Sequence, residues 1–423
     1  MSAIPKSFDG RRPAQPVQGV SYTTRSIAVN SSEFISGNTA LFKLPGHLES
    51  SYLDPSSSFL RVKFVNNSGS KNFTMGVGGL NSLISKVNVS QAGNTLVDIS
   101  DYGKYVALET AITADNSWYS GQGNALCGAH SIVRGAQVDH TTDNELVMCS
   151  PLQFHGGLFG QSKAVPLAGM EIDYRITFGD ASYGGAWEAD ASPSANWKKF
   201  IEVELVLQII QLSDQSNAMI RKMNPNWSIL TKGVGTYNAS LAQHVSQSSV
   251  NLGASYSQLL GYNFVMTDSS PSGGEAVTNN GEHFKQNNLK RHNLSVDGVL
   301  VENGKSITAD VPAEIVAFNA IEKGTLAKMT GLPLLTHGNV TNLSNSGCVF
   351  SQSLEIFKAS CSGFANYAKE NFCTGRSTIS STTVLGLEFG SNGAQFATNL
   401  TLFAKYAQLI TYDDEHKIFR ISQ

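Results

Sequence analysis

Few groupings in this sequence have the residue types and spacing that chemistry requires. Gly156-Gly-Leu-Phe-Gly160-Gln-Ser-Lys163 has the glycines of a loop whose backbone N–H groups could cradle phosphates. In such a loop the lysine directly follows a glycine and precedes Ser or Thr, whereas Lys163 lies between Ser162 and Ala164. A glycine-rich turn between strands is expected there. Asp139-His140-Thr-Thr-Asp143-Asn-Glu145 sets an imidazole beside three carboxylates, a set able to hold a cation. Without further ligand spacing it is expected to be an exposed polar loop, and Tyr412-Asp-Asp-Glu-His416 is expected to be a solvated tail. Lys285, Lys290 and Arg291, with His283 and His292, are expected in a surface loop. There is no G-x-S-x-G nucleophile elbow and no H-E-x-x-H zinc motif, and the histidines are scattered. No catalytic, cofactor-binding or metal-ligating residue is assigned, no cofactor is implied, and an enzyme is not expected.

The five cysteines, Cys127, Cys149, Cys348, Cys361 and Cys373, form no C-x-x-C pair, which argues against a zinc ribbon or a dense disulfide framework. Buried, reduced thiols are expected. The N-x-S/T triplets, such as those at Asn72, Asn88, Asn238 and Asn399, reflect an Asn- and Ser-rich composition rather than glycosylation, because the amino terminus has no apolar core of a signal peptide. No stretch reaches the roughly 18 apolar residues of a membrane-spanning helix. The Ile201–Leu212 segment, the longest apolar one, is interrupted by Glu202, Glu204, Gln208 and Gln211.

Across 423 residues, 30 Lys and Arg face 33 Asp and Glu, a net charge of -3, and charged residues make up only 15%. That balance excludes a polybasic nucleic-acid binder, and so low a charge content excludes a coiled coil. Lys6, Arg11, Arg12 and Arg25 make the amino-terminal arm only modestly basic, so no specific nucleic-acid site is expected. Low charge, 41% hydrophobic residues and many Gly, Ser, Thr and Asn fit a β-rich chain with long loops.

Period-two alternation supplies the elements. Met170–Phe178 is apolar at every second residue, as are Ile201, Val203, Leu205, Leu207 and Ile209; Leu60, Val62 and Phe64 alternate with Arg61 and Lys63. Leu400, Leu402, Tyr406, Ile410 and Tyr412 form a further row. Helices are expected only at Tyr102–Thr113, after Asp101, and at Pro312–Lys323, which has Pro at its start and Gly324 just beyond its end. An all-β, mostly antiparallel sandwich architecture with a few short helices follows.

The pattern repeats. Leu60-x-x-x-Phe64-Val65 recurs as Leu260-x-x-x-Phe264-Val265, and Gln208-Ile209-Ile210 as Gln408-Leu409-Ile410. Phe178-Gly179 recurs as Phe389-Gly390, and the two expected helices follow the same order. Two tandem domains of about 190 residues each are expected: an arm over 1–22, a first sandwich over 23–212, a linker over 213–225, a second sandwich over 226–412 and a tail over 413–423.

Leu44-Pro-Gly-His-Leu-Glu-Ser-Ser-Tyr52-Leu-Asp-Pro55, running on to Phe64, resembles the early-strand segment of double jelly-roll major capsid proteins of double-stranded DNA viruses of the polinton-like and adintovirus type. Leu80–Val89, then Gly93-Asn and Asp98-Ile-Ser-Asp-Tyr102, is similar to their next strands and helix. The resemblance covers residues 40 to 110 most specifically. It implies two eight-stranded jelly rolls, a homotrimer forming a pseudo-hexagonal, hexon-like capsomer, and capsomers tiling an icosahedral shell in the virion. The implied partners are other copies of the chain, penton proteins and minor capsid or cement proteins, and contact with a membrane is left open. The arm Met1–Val20 is expected to cross to neighbouring subunits, and the loops Ala114–Ser150, Gly179–Lys199 and Asp268–Asn293 to project or to touch other capsomers. A carbohydrate-binding or adhesive β-sandwich, fibre- or lectin-like, is the alternative; it would display aromatic platforms, for which Trp187 and Trp197 are near enough in sequence to meet. An enzyme assembled from distant positions is a third reading.

Overall fold

Alternating side chains need two surfaces, one apolar and one wet, and the chain satisfies this by folding its strands into facing antiparallel sheets. The computed structural model describes residues 18–113, 116–130, 136–141, 144–161, 163–188, 193–223, 226–253, 255–269, 287–301, 307–308, 350–354 and 375–422. The helix expected at Pro312–Lys323, Cys348, Cys361, Cys373 and residues 1–17 of the arm lie outside them.

Numbering the strands of the main sheets, the first half contains β1 (Gly19–Ile27), β2 (Thr39–Leu44), β3 (Ser51–Asn66), β4 (Ile84–Gln91), β5 (Asn94–Ser100), β6 (Glu145–Pro151), β7 (Ile172–Phe178) and β8 (Lys198–Leu212). One sheet runs β1–β8–β3, with β6 on the far edge of β3, and the facing sheet runs β2–β7–β4–β5. The second half contains β9 (Ser228–Leu241), β10 (Gln247–Leu252), β11 (Leu259–Asp268), β12 (Leu289–Val296), β13 (Val299–Leu300), β14 (Phe350–Ser353), β15 (Thr383–Phe389) and β16 (Thr398–Asp413). Its sheets run β9–β16–β11–β14 and β10–β15–β12–β13. The strand order of the second half therefore copies that of the first. The sequence repeat marks equivalent places: Phe64 on β3 and Phe264 on β11 are both fully buried, and Phe178 and Phe389 each end the second strand of the inner sheet.

The first core centres on Phe178 and Phe200, stacked with ring centroids 3.8 Å apart. The second is built on Tyr262, Phe264 and Phe350 with Leu385 and Leu402. Helix α1 (Tyr102–Thr113) forms where the sequence predicts it and lies against the second half, its Tyr105 ring 5.4 Å from Phe403 of β16. Helix α2 (Asp214–Met223) occupies the expected linker and docks on the start of β3, where Asn217 accepts a hydrogen bond of 2.8 Å from the Tyr52 hydroxyl.

The contact between the halves is a continuous buried seam. Val97 and Ile99 of β5 share one apolar cluster with Ile229, Val234, Val265, Phe403 and Ile410. Several polar groups in the seam are paired across it: Thr236 donates to the Ser100 carbonyl at 2.9 Å, Gln408 to that of Leu96 at 3.3 Å, and Asn238 to the Asp101 carboxylate at 3.0 Å. The Gly156–Gly160 turn belongs to the seam as well. Gly157 has φ +52, and a Cβ there would stand 2.3 Å from Val97; its carbonyl accepts from Thr231.

Two expectations about the sequence ends of these elements change. Gly19–Tyr22, assigned to the arm, already pairs in β1 with β8, from Gly19 opposite Leu212. The carboxyl segment is a hairpin rather than a solvated tail: β17 (Ile418–Ser422) pairs with β16, Tyr412 is buried, and Asp413 caps the turn by accepting from the backbone N–H groups of Glu415 and His416. Sequence polarity at Asp413–Lys417 describes the turn alone. Phe419, just beyond it, is fully buried against Trp227 and Tyr412, and its N–H donates to Gln91 of β4 at 2.7 Å.

Removing this plug should open the seam. Phe419→Ala is expected to cost about 3–5 kcal/mol, read as a lower urea midpoint at constant slope; wild-type stability would show that the hairpin does not hold the halves together.

Candidate functional site

The outward residues of the β1–β8–β3–β6 sheet form an ordered charged surface. Strands β3 and β8 pair antiparallel, so Arg61 and Lys63 of β3 lie on the face opposite Leu60, Val62 and Phe64. Between Ile201 and Glu204 the register slips, and Glu202 takes φ +49, a left-handed conformation that accommodates the extra residue of a bulge. The slip puts both Glu202 and Glu204 within reach of Arg61. Arg61 donates to Glu202 at 2.8 Å and to Glu204 at 2.9 Å, and the bond to Glu202 raises the guanidinium's pKa further above its ordinary value. Lys63 pairs with Glu145 of β6, whose hydrogen bond holds the ammonium pKa above its usual value. Arg25 of β1 reaches Glu204 at 3.4 Å and Lys199 reaches Glu33 at 2.9 Å.

Opposite charges are thus matched over this face, and apolar side chains stand among them. Ile27, opposite Glu204, is 65% exposed, and Val147, opposite Lys63, is 46% exposed. Exposed ion pairs stabilise a fold little, so the network does more to order the surface than to hold it together. The equivalent face of the second half, on β16 and β11, is covered by α1 of the first half: Phe403, Val265, Thr401 and Asn263 there are buried. These face residues were visible in the sequence only as the polar members of alternating rows; their convergence depends on the bulge at Glu202.

The groupings with chemical potential fall elsewhere and do not converge. Lys163 donates to the carbonyl of Ser228 across the seam at 3.1 Å. His140 binds the Asn72 side chain at 2.8 Å, Glu145 is held by Lys63, and Asp143 lies outside the described residues. Among the described residues no group of three or more His, Cys, Asp or Glu could hold a metal ion. Lys290, Arg291 and His292, expected in a loop, belong to β12, with His292 buried; His283 and Lys285 lie outside the described residues. Cys127 and Cys149 are free thiols, and burial pushes Cys127 up to about 12, which leaves it an inert thiol at neutral pH. Trp187 and Trp197 do meet, with centroids 5.0 Å apart, but Trp187 is buried against Phe73 rather than displayed as a platform. Of the three expected projecting loops, Asp268–Asn293 lies mostly outside the described residues and Gly179–Lys199 is described except for 189–192, whereas Ala114–Ser150 is not one loop but holds short helical turns over 116–127 and strand β6.

Among the described residues, each half also buries one histidine. His155 is hydrogen-bonded to the Tyr174 hydroxyl, and His292 to that of Tyr262 at 3.1 Å, which in turn donates to Gln352. Desolvation lowers both imidazoles from 6.5 to about 3.

Two antiparallel jelly rolls in tandem, the second repeating the strand order of the first and joined to it through a buried seam, constitute the double jelly-roll fold of major capsid proteins of double-stranded DNA viruses. PBCV-1 VP54, whose crystal structure was fitted into a cryo-EM reconstruction of the virophage Sputnik, superposes with a TM-score of 0.63 at 9% identity, over 98% of this chain and 99% of that one. The Faustovirus major capsid protein gives 0.57 at 8% identity, over 96% and 92%, and the mavirus major capsid protein 0.55 at 9%, over 100% and 95%. The likeness is one of fold. No family model matches the chain, and no curated protein sequence matches it.

The buried histidines set a pH dependence. Unfolding returns each ring to its ordinary value of 6.5, so between 6.5 and about 3 the unfolded chain binds protons that the native state refuses. Stability is therefore full above that window and falls as pH drops through it, by up to about 1.4 kcal/mol per pH unit for each histidine. Chemical denaturation between roughly pH 6 and 4 should show a shallower slope in the His155→Gln, His292→Gln double variant; an unchanged slope would contradict neutral burial.

Proposed function

We propose that this chain is the structural major capsid protein of a double-stranded DNA virus and acts by binding copies of itself. The observation that carries the proposal is the unequal treatment of two equivalent faces. Within one chain, the first half lays α1 on the outer face of the β9–β16–β11–β14 sheet. The same face of the first half, with Ile27, Val147 and the Arg61–Glu202–Glu204 network, is left for another molecule. If the second half of a neighbouring copy docks there as the first half docks on the second within the chain, the contact is head-to-tail, and head-to-tail contacts close into rings when their rotation allows. Three chains supply six similar sandwiches, a pseudo-hexagonal capsomer suited to tiling an icosahedral shell. Matched charges at such a contact favour register and partner choice more than raw affinity. Penton and minor capsid proteins would meet the capsomers in the virion.

Light scattering on purified wild-type protein is expected to give the mass of a trimer, and negative-stain images hexagonal particles or shells. The Ile27→Asp, Val147→Asp variant should keep the wild-type circular dichroism and thermal midpoint but shift to monomers. A monomeric wild type, or a variant that assembles as well as the wild type, would refute this use of the face.

A further inference from the structure

On the seam side of β16, three side chains meet whose chemistry exceeds what packing requires. Lys405 of β16 points toward α1, its side chain only 4% exposed, and its Nζ lies 2.9 Å from Oε1 of Glu109. Asn263 of β11 is fully buried, and its Nδ2 donates to the same Glu109 oxygen at 3.0 Å. Lys405 is paired with Gly261, so Asn263, two residues along β11, shares its face and stands diagonally next to it. A single carboxylate oxygen thus holds an amine and a carboxamide side by side. The Asn263 Oδ1 is buried and has no hydrogen-bond partner among the described residues, a costly state for a carboxamide oxygen. Phe403 and Val265, both fully buried, are the neighbours of the pair on the same two strands and exclude water from it.

A buried lysine, a buried asparagine and a carboxylate that touches both are the components of an intramolecular transamidation. We propose that Lys405 and Asn263 condense into an isopeptide bond, with Glu109 as the proton carrier. Glu109 first takes a proton from the Lys405 ammonium, leaving a neutral amine. The amine lone pair attacks Cγ of Asn263, forming the N–Cγ bond and placing negative charge on Oδ1. The proton lost from the attacking nitrogen passes through Glu109 to Nδ2; the Cγ–Nδ2 bond breaks, the carbonyl re-forms and ammonia departs. The proton first held by Glu109 leaves with it, so lysine ammonium plus carboxamide yields a secondary amide plus ammonium ion, and Glu109 ends ionised. No oxidant, metal or cofactor enters the balance. The product removes the buried Lys405 charge, whose desolvation is costly, leaves Glu109 ionised with its side chain 24% exposed, and covalently ties β11 to β16.

Intact-mass spectrometry of the full-length protein tests this directly. The folded wild type should weigh about 17 Da less than its sequence, the mass of one ammonia. Trypsin should then release a branched peptide joining residues 233–285 to residues 377–417, uncut at Lys405. The Glu109→Gln and Lys405→Arg variants should regain the full sequence mass; Glu109→Gln keeps an amide in place of the carboxylate and so separates loss of the bond from loss of the fold, which circular dichroism checks. A full-mass wild type overturns the proposal. So does a 17 Da loss confined to a linear peptide, as a succinimide at an Asn-Gly step would give, and so does a Glu109→Gln variant that still carries the branched peptide.

Discussion

The structure depends on a strand, β16, that is covered on both faces over much of its length. In an antiparallel sheet one face ordinarily meets the core and the other meets solvent. Strand β16 instead sends Leu400, Leu402 and Ala404 into the core of its own sandwich and Thr401, Phe403 and Lys405 into the seam with the first half. Both faces of β16 help to join the halves: α1 covers Phe403 and Lys405 on one, while further along the other Gln408 meets Leu96, beside the Gly157 turn set against Val97, and Tyr412 meets Phe419 of β17. Several polar residues caught there find partners across the seam, as Gln408 does with the Leu96 carbonyl and Asn238 with Asp101.

The two sandwiches are copies in topology but not in surface chemistry. At the place where β16 carries a buried lysine and phenylalanine, β8 carries Glu202 and Glu204, tied to Arg61 and Lys63. Duplicated backbones with divergent outer faces give one chain two distinct surfaces on a common scaffold, one covered internally and the other formed of balanced charge with apolar side chains among it. On this outer face the charges stand in opposite-sign pairs.

Much of this fold was legible before any coordinates. Alternation at Met170–Phe178 and Ile201–Ile209 located central strands, and Leu60 with Leu260 and Phe64 with Phe264 marked equivalent positions of the duplicated sheet, because a strand buried on one face must repeat every second residue. Tyr102–Thr113 was legible as a helix, but not what it covers, since docking is decided by the geometry of the partner sheet. The carboxyl hairpin was not legible because Asp413–Lys417 is a run of turn residues that masks the buried strand behind it. The charged face was not legible because Glu202 joins it through a bulge, and the Lys405–Asn263–Glu109 cluster because it draws on positions 109, 263 and 405, which only the docking of α1 brings together.

The order in which the strands occur also shapes how the chain reaches this state. In both halves the strand at the centre of the outer sheet is among the last of its half: β8 pairs with β1 from Gly19 opposite Leu212, and β16 pairs with β9 from Ser228 opposite Thr411. Neither sheet can close until nearly the whole half is present, so the decisive contacts are non-local and must overcome a large loop-closure entropy before they are rewarded. Such topologies fold slowly and leave strand edges open while they wait. The chain therefore spends its most adhesive period before its central strands are in place.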